Sequence, residues 1–222
     1  MLKKLYQNQL YFYSIIAVII YLVGIVGITC IPELFKPVTP LNLLLSALFI
    51  LYFDKSPRKK ILFFAAFTFI TGWIIEWIGV YSKLIFGEYQ YGPTLGLAID
   101  GIPVLIGINW FILSYYSANL SEWIFPKTNI YLKTTFGAFL MVVIDAVIEP
   151  LCGDLDFWYW KGDHIPMQNF IAWLIFSWGY IFLFYNLKLD SNNKASRVLY
   201  VIQLIFFLAL FISFKLIPYA NQ

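Results

Sequence analysis

Seven stretches of this 222-residue chain are long and nearly free of charge: residues 9–31, 38–53, 60–86, 95–117, 130–151, 167–187 and 198–217. A helix needs roughly 20 apolar residues to cross a bilayer. Backbone in lipid must also satisfy its own hydrogen bonds, which only helices and closed barrels achieve. The composition agrees: 61% of residues are apolar, 12% are charged, and mean hydropathy is +0.78, whereas a soluble domain carries about 25% charged residues. The expected fold is all-α, a polytopic membrane helical bundle of about seven transmembrane helices, or six if the short second segment does not cross. Residues 1–222 read as a single integral-membrane domain. The first segment follows Lys3 and Lys4 without a small-residue cleavage site, so it reads as a retained helix rather than a signal peptide.

Basic residues set the expected orientation. With seven crossings, one side holds Lys3, Lys4, Lys55, Arg58, Lys59, Lys60, Lys127, Lys133, Lys188, Lys194 and Arg197; the other holds Lys36, Lys83, Lys161 and Lys215, a split of 11 to 4. By the positive-inside rule the N-terminus is cytoplasmic and the C-terminus outside, in what reads as a bacterial inner membrane. A net charge of +3, scattered along the chain, excludes nucleic acid as a partner. Cys30 and Cys152 lack CxxC partners, which leaves zinc and redox motifs without support; both fall at outer ends of spans and read as free thiols.

Four acids interrupt the apolar segments or lie at their edges: Glu76, Asp100, Asp145 and Glu149. A buried charge costs about 2.5–3.5 kcal/mol on insertion scales, so such residues point to proton or ion chemistry. The topology places all four in the outer half of the bilayer, with Asp154, Asp156, Asp163 and His164 beyond them. In GWIIEWIGV, Trp73 and Trp77 share a helix face, and Gly72 and Gly79 allow a close helix approach beside Glu76. The plainer reading of Glu76 is a packing residue bonded to a neighbour. In DAVIEP, the spacing of four puts Asp145 and Glu149 on one face. Two carboxyls so placed resist double ionisation and together supply an acid and a base. Asp100 either serves that chemistry or tethers its loop. In the stretch from Asp156 to Trp173, Trp158, Trp160 and Trp173 flank polar groups; indole faces attract cations, though an aromatic belt at the membrane interface explains such residues equally well. His164 is the only histidine, and Gln168 and Asn169 open the sixth segment, where they hold a water or cap the helix.

As an ordered set, Glu76, FGEYQYGPTLG with GIPVLIGINWF, DAVIEP and FWYWKGDHIPMQNFIAW resemble the carotenoid biosynthesis membrane family that includes bisanhydrobacterioruberin hydratase and bacterial carotenoid 1,2-hydratases. The resemblance covers roughly residues 72–173. It implies a hydro-lyase that adds water across the terminal C=C of an acyclic carotenoid ψ-end, giving a tertiary alcohol, with no metal and no organic cofactor. Its partners would be a carotenoid, water, membrane lipid and neighbouring carotenoid enzymes. Glu76, Asp145 and Glu149 occupy matching motif positions and are the catalytic candidates; Asp100, Trp73, Trp77, Trp158, Trp160, Asn169, Trp173 and His164 are candidates for binding substrate or water. Alternatives stay open: a membrane lycopene cyclase-type enzyme would use the same acids and let an internal alkene capture the cation. A proton-coupled transporter would use them as a relay. A prenyltransferase would want a second acidic motif for Mg²⁺–diphosphate.

Overall fold

The computed structural model describes residues 2–216, and the side chains of all of these except residues 2–7 and 163. The readings placed on the side chains of Lys3, Lys4 and Asp163, and on residue 217, lie outside the described residues. Along the chain run α1 (Leu2–Cys30), α2 (Pro32–Phe35), α3 (Thr39–Phe53), α4 (Arg58–Ser82), β1 (Tyr89–Tyr91), β2 (Ala98–Ile99), β3 (Ile102–Pro103), α5 (Leu105–Ile124), α6 (Ile130–Ile148), β4 (Trp158–Trp160), α7 (Met167–Asn186) and α8 (Lys194–Phe211). The punctuation is chemical. Pro32 cannot extend α1 but suits the first turn of α2. Asn129 caps α6 by accepting from Leu132 N at 2.9 Å, and Asn193 caps α8 through Ala195 N and Ser196 N.

Six helical stretches are long and apolar enough to cross a bilayer: Asn8–Cys30, Pro32–Phe53, Arg58–Ser82, Ile130–Leu151, Met167–Asn186 and Lys194–Leu216. The all-α bundle expected from the sequence is therefore the observed architecture, that of an integral membrane protein. The seventh long helix, α5, is the axis of the bundle. It packs against α3, α4, α6, α7 and α8 and buries Ser114, Ser117, Asn119 and Ser121 completely. Because protein rather than lipid surrounds it, α5 tolerates polar residues that lower its hydropathy.

Two segments differ most from expectation. The fourth segment, read as 95–117, is helical only from Leu105, and it continues to Ile124. Residues before it form the β2–β3 hairpin, whose two turn residues, Asp100 and Gly101, have φ of 49° and 76°. Positive φ at both positions is the type I′ turn that an Asp-Gly pair favours. The third segment, read as far as Phe86, stops at Ser82, where Lys83 turns left-handed at φ 60°.

The end of the bundle near Asp54 is tied by polar groups. Asp54 accepts from the Tyr115 hydroxyl at 2.5 Å and from Ser56 N at 2.8 Å, and Asn193 Nδ2 donates to that same hydroxyl at 3.1 Å. This joins the α3–α4 turn to α5 and to the α7–α8 connection. The opposite end is covered by the β1 and β4 segments.

Candidate active site

Glu76 points from α4 into the bundle, with Gly72 one turn before it. A Cβ at Gly72 would come within 2.7 Å of the Trp110 ring, so glycine lets α5 lay that indole against α4. Trp110 Nε1 then donates to Glu76 Oε1 at 2.9 Å. The hydroxyls of Tyr89 and Tyr91 donate to Oε2 at 2.6 and 2.7 Å.

Asp145 and Glu149 lie one turn apart at the end of α6, both buried. Asn169, in the first turn of α7, bridges them: its Nδ2 donates to Asp145 Oδ2 and to Glu149 Oε1, each at 2.9 Å. Glu149 Oε2 also accepts from Trp158 Nε1 at 3.2 Å and from Trp160 Nε1 at 2.6 Å. Among the described residues Asp145 Oδ1 is buried without a partner.

Most of these donors come from one small sheet. Strand β1 pairs antiparallel with β4, Tyr89 opposite Trp160 and Tyr91 opposite Trp158. Side chains alternate across a strand, so these four aromatics share the inner face, while Gln90 and Tyr159 are exposed. The two phenols serve Glu76 and the two indoles serve Glu149. The sheet is thus a cap whose inner face is a row of aromatic donors.

Between the acids lies a cavity of ≈ 20 Å³ lined by Glu76, Glu149, Asn169, Tyr89, Tyr91 and the surrounding rings. That is room for about one water. Asp145 sits behind Asn169 and does not line it. The walls Ile106 and Trp158 also line a larger apolar groove of ≈ 270 Å³ between α1, α3, α5 and α8.

The structure brings Glu76, Asp145, Glu149, Trp158, Trp160, Asn169 and Trp173 together. Trp173 lines the cavity and stacks on Trp110, centroids 4.4 Å apart. Trp73, Trp77, Asp100 and His164 lie outside it. Trp73 Nε1 reaches Ile102 O at 3.4 Å, Trp77 Nε1 reaches Asp100 Oδ2 at 3.4 Å, and Asp100 and His164 are exposed. Gln168 donates to Leu84 O, and Cys30 and Cys152 are free thiols. Sequence reasoning missed Tyr89, Tyr91 and Trp110. The alternation in Tyr-Gln-Tyr and Trp-Tyr-Trp was the available signal for the cap.

Ion pairs fasten the cap from outside. Lys36 meets Asp156 at 2.6 Å, Lys83 and Lys161 meet Glu88 at 2.6 and 3.0 Å, and Lys215 meets Asp154 at 2.5 Å. Lys36, followed by the Tyr159 hydroxyl, holds Asp156 below the usual carboxylate range. Lys83 and Lys161 do the same for Glu88. Among the described residues no ion pair involves Glu76, Asp145 or Glu149.

Fold and site together define an integral membrane protein with an enclosed carboxylic-acid centre, capped by aromatic donors and walled from an apolar groove by two side chains. The chain belongs to the carotenoid biosynthesis protein family: residues 38–220 match that family's model. Its role lies in carotenoid biosynthesis, on a carotenoid-related substrate. Neither curated proteins nor solved structures give a significant match.

Proposed function

We propose that the protein hydrates the terminal C=C of an acyclic carotenoid ψ-end by acid catalysis, giving a tertiary alcohol. The observation that carries this reading is that Glu76 and Glu149 face one water-sized cavity which shares Ile106 and Trp158 with a long apolar groove. The groove receives the polyene, and its end displaces those two side chains to reach the acids.

Glu149 delivers the proton. The alkene π pair forms the new C–H bond at the less substituted carbon and leaves a tertiary cation at the other. The faces of Trp158 and Trp173 and the carboxylate charge stabilise that cation. A water held by Glu76 adds its lone pair to the cation and gives its surplus proton to Glu76. Return of that proton to Glu149 closes the cycle, with one water consumed and no redox change. At rest Asp145 and Glu149 share one proton, which removes the repulsion that two buried anions would suffer; while that proton is on the substrate, the cation beside them offsets the added charge until the proton returns from Glu76. Asn169 keeps their geometry. In the same reading the excess of basic residues at one end orients the N-terminus to the cytoplasm and the acids to the outer half of a bacterial cell membrane.

The test is expression in a host that makes an acyclic carotenoid, followed by mass analysis of the extracted pigments. The expected product is heavier by one water and is absent with Glu149→Gln or Glu76→Gln. A product of unchanged mass with the absorption of a ring-closed end would replace hydration by cyclisation. No change with several acyclic carotenoids would refute both.

A further inference from the structure

In the proposed hydration each turnover leaves a proton on Glu76 and leaves Asp145 and Glu149 both charged. The centre acts again only when that proton has crossed the cavity. What carries it follows from the hydrogen-bonding capacity of the groups around the acids. Trp110 Nε1 on Glu76, Trp158 Nε1 and Trp160 Nε1 on Glu149, and Asn169 Nδ2 between Glu149 and Asp145 only donate. They hold a carboxyl in place but cannot receive a proton and pass it on. The phenols of Tyr89 and Tyr91 differ. They donate to Glu76 Oε2 at 2.6 and 2.7 Å, and a phenol oxygen also accepts.

Tyr89 is the better placed of the two. It is 9% exposed, whereas Tyr91 is half-buried. Its ring centroid lies 5.0 Å from that of Trp160, against 6.3 Å between Tyr91 and Trp158. Trp160 also makes the shorter bond to Glu149, 2.6 Å against 3.2 Å for Trp158. Burial first, then the charge on Glu76, push the Tyr89 hydroxyl well above its usual range, and Glu149 adds to them. The phenol therefore stays neutral, within electrostatic reach of both acids. Glu76, Tyr89 and Glu149 all line the cavity of ≈ 20 Å³, so a single water there spans them.

We propose that Tyr89 returns the proton from Glu76 to Glu149 through the water that refills the cavity after each turnover. The Glu76 O–H bond breaks as its proton bonds to the phenol oxygen. The phenol O–H bond breaks as its proton passes to the water, and the water gives a proton to Glu149. The phenol and the water end neutral, Glu76 ends as a carboxylate, and Asp145 and Glu149 regain their shared proton with no redox change. The refilling water is then the nucleophile of the next turnover. The relay rests on the hydration reading and supplies the step that makes it repeat.

Detergent-solubilised protein mixed with an excess of an acyclic carotenoid and quenched at intervals, with hydrated product counted per protein, tests it. Tyr89→Phe is expected to complete a first turnover, since Glu149 starts protonated. Its later turnovers are expected to run at least about a hundredfold slower than those of wild type, and slower again in D₂O. Tyr91→Phe loses the same kind of bond to Glu76 and is expected to show no break between first and later turnovers. Where Tyr89→Phe does not fold, Tyr89→Met, which fills the wall with a flexible side chain that has no proton to give, takes its place. A Tyr89→Phe that slows first and later turnovers alike would overturn the proposal. So would a break that also appears in Tyr91→Phe, or later turnovers that D₂O leaves unchanged. A wild type that adds no water to any acyclic carotenoid refutes hydration and the relay with it. A wild type that adds water beside a Tyr89→Phe that matches it through repeated turnovers refutes the relay alone.

Discussion

Replacing Asn169 by leucine removes the one group that holds the two acids of α6 together. Asn169 is 2% exposed and is bonded to both carboxyls through Nδ2. Leucine keeps the volume and the helix but offers no donor. Asp145 then has no hydrogen-bond donor at either oxygen among the described residues, since Oδ1 has no partner already. Glu149 keeps its two indoles, so it loses less. A hydrogen bond to a charged group contributes about 1.5–3 kcal/mol, and an orphaned buried acceptor costs about 1–3 kcal/mol. For two bonds the expected loss is about 2–6 kcal/mol, toward the low end because a proton shared by the two carboxyls can bond them directly. With its amide partner gone, Glu149 is less firmly placed, and hydration should slow at least about tenfold, since each 1.4 kcal/mol in the barrier is a factor of ten. Unfolding of the detergent-solubilised protein measures the first effect and pigment conversion the second. A double-mutant cycle with Asp145→Asn isolates the bridge: residues in one network couple by about 0.5–3 kcal/mol. Additivity within about 0.5 kcal/mol, together with unchanged conversion, would show that the shared amide organises nothing.

Glu76→Gln should fold, because Tyr89 and Tyr91 hydroxyls can turn to accept from its amide while Trp110 still finds an oxygen; it should convert no carotenoid. Glu76→Ala orphans three donors and should unfold at a clearly lower temperature than Glu76→Gln; equal midpoints would contradict the donor cluster. Gly72→Val should push Trp110 off Glu76, since even a Cβ falls at 2.7 Å from the ring, and it should be seen as lost activity together with a changed tryptophan fluorescence spectrum. Asp156 and Glu88 have folded pKa values below the unfolded ones, so their ion pairs support the cap above the unfolded values, about 4, and lose that support as pH falls through the folded ones. Amide exchange at residues 89–91 and 158–160, corrected for intrinsic rate, should be flat between about pH 5 and 8 and rise below about pH 4; protection that persists in acid would count against the fastening role. For the proposed orientation, a reporter fused after Gln222 should be active only outside the cytoplasm, and a cytoplasmic signal would reverse it.

How far these features could be read from the sequence depended on how local they were. Glu76, Asp145 and Glu149 stood out because a charge within an apolar run violates the solvent around it. Six of the seven long helices followed from length and hydropathy alone. The start of α5 did not, because GLAIDGIPVLIG is apolar enough to pass for helix, and the Asp100–Gly101 turn signal was outweighed by that hydropathy. The cap escaped for a related reason. Its strands are three residues long, too short for alternation to stand out from an interfacial belt of aromatics. Trp110 was invisible as a partner of Glu76, since their meeting depends on how α4 and α5 pack. Asp100 and Trp77 looked polar and aromatic in the right region, yet they bond to each other on the flank of the hairpin.

The choice of donors around the acids carries a chemical argument of its own. Two phenols, three indoles and one carboxamide supply their hydrogen bonds. The Cys152 thiol beside Glu149 is neutral too, pushed up to about 12 chiefly by burial. A lysine or arginine would pair with each carboxylate more strongly, and the chain has such residues nearby, spent on the outside of the cap. Inside, a fixed cation would neutralise the acids and repel any positive charge developing on a substrate. Neutral donors hold the carboxyls in place while leaving their charge available, and the aromatic faces beside them add attraction for a cation. That arrangement suits a reaction that passes through a carbocation, hydration or cyclisation alike. In the proposed reading, the water-sized cavity between Glu76 and Glu149 holds the water that captures it.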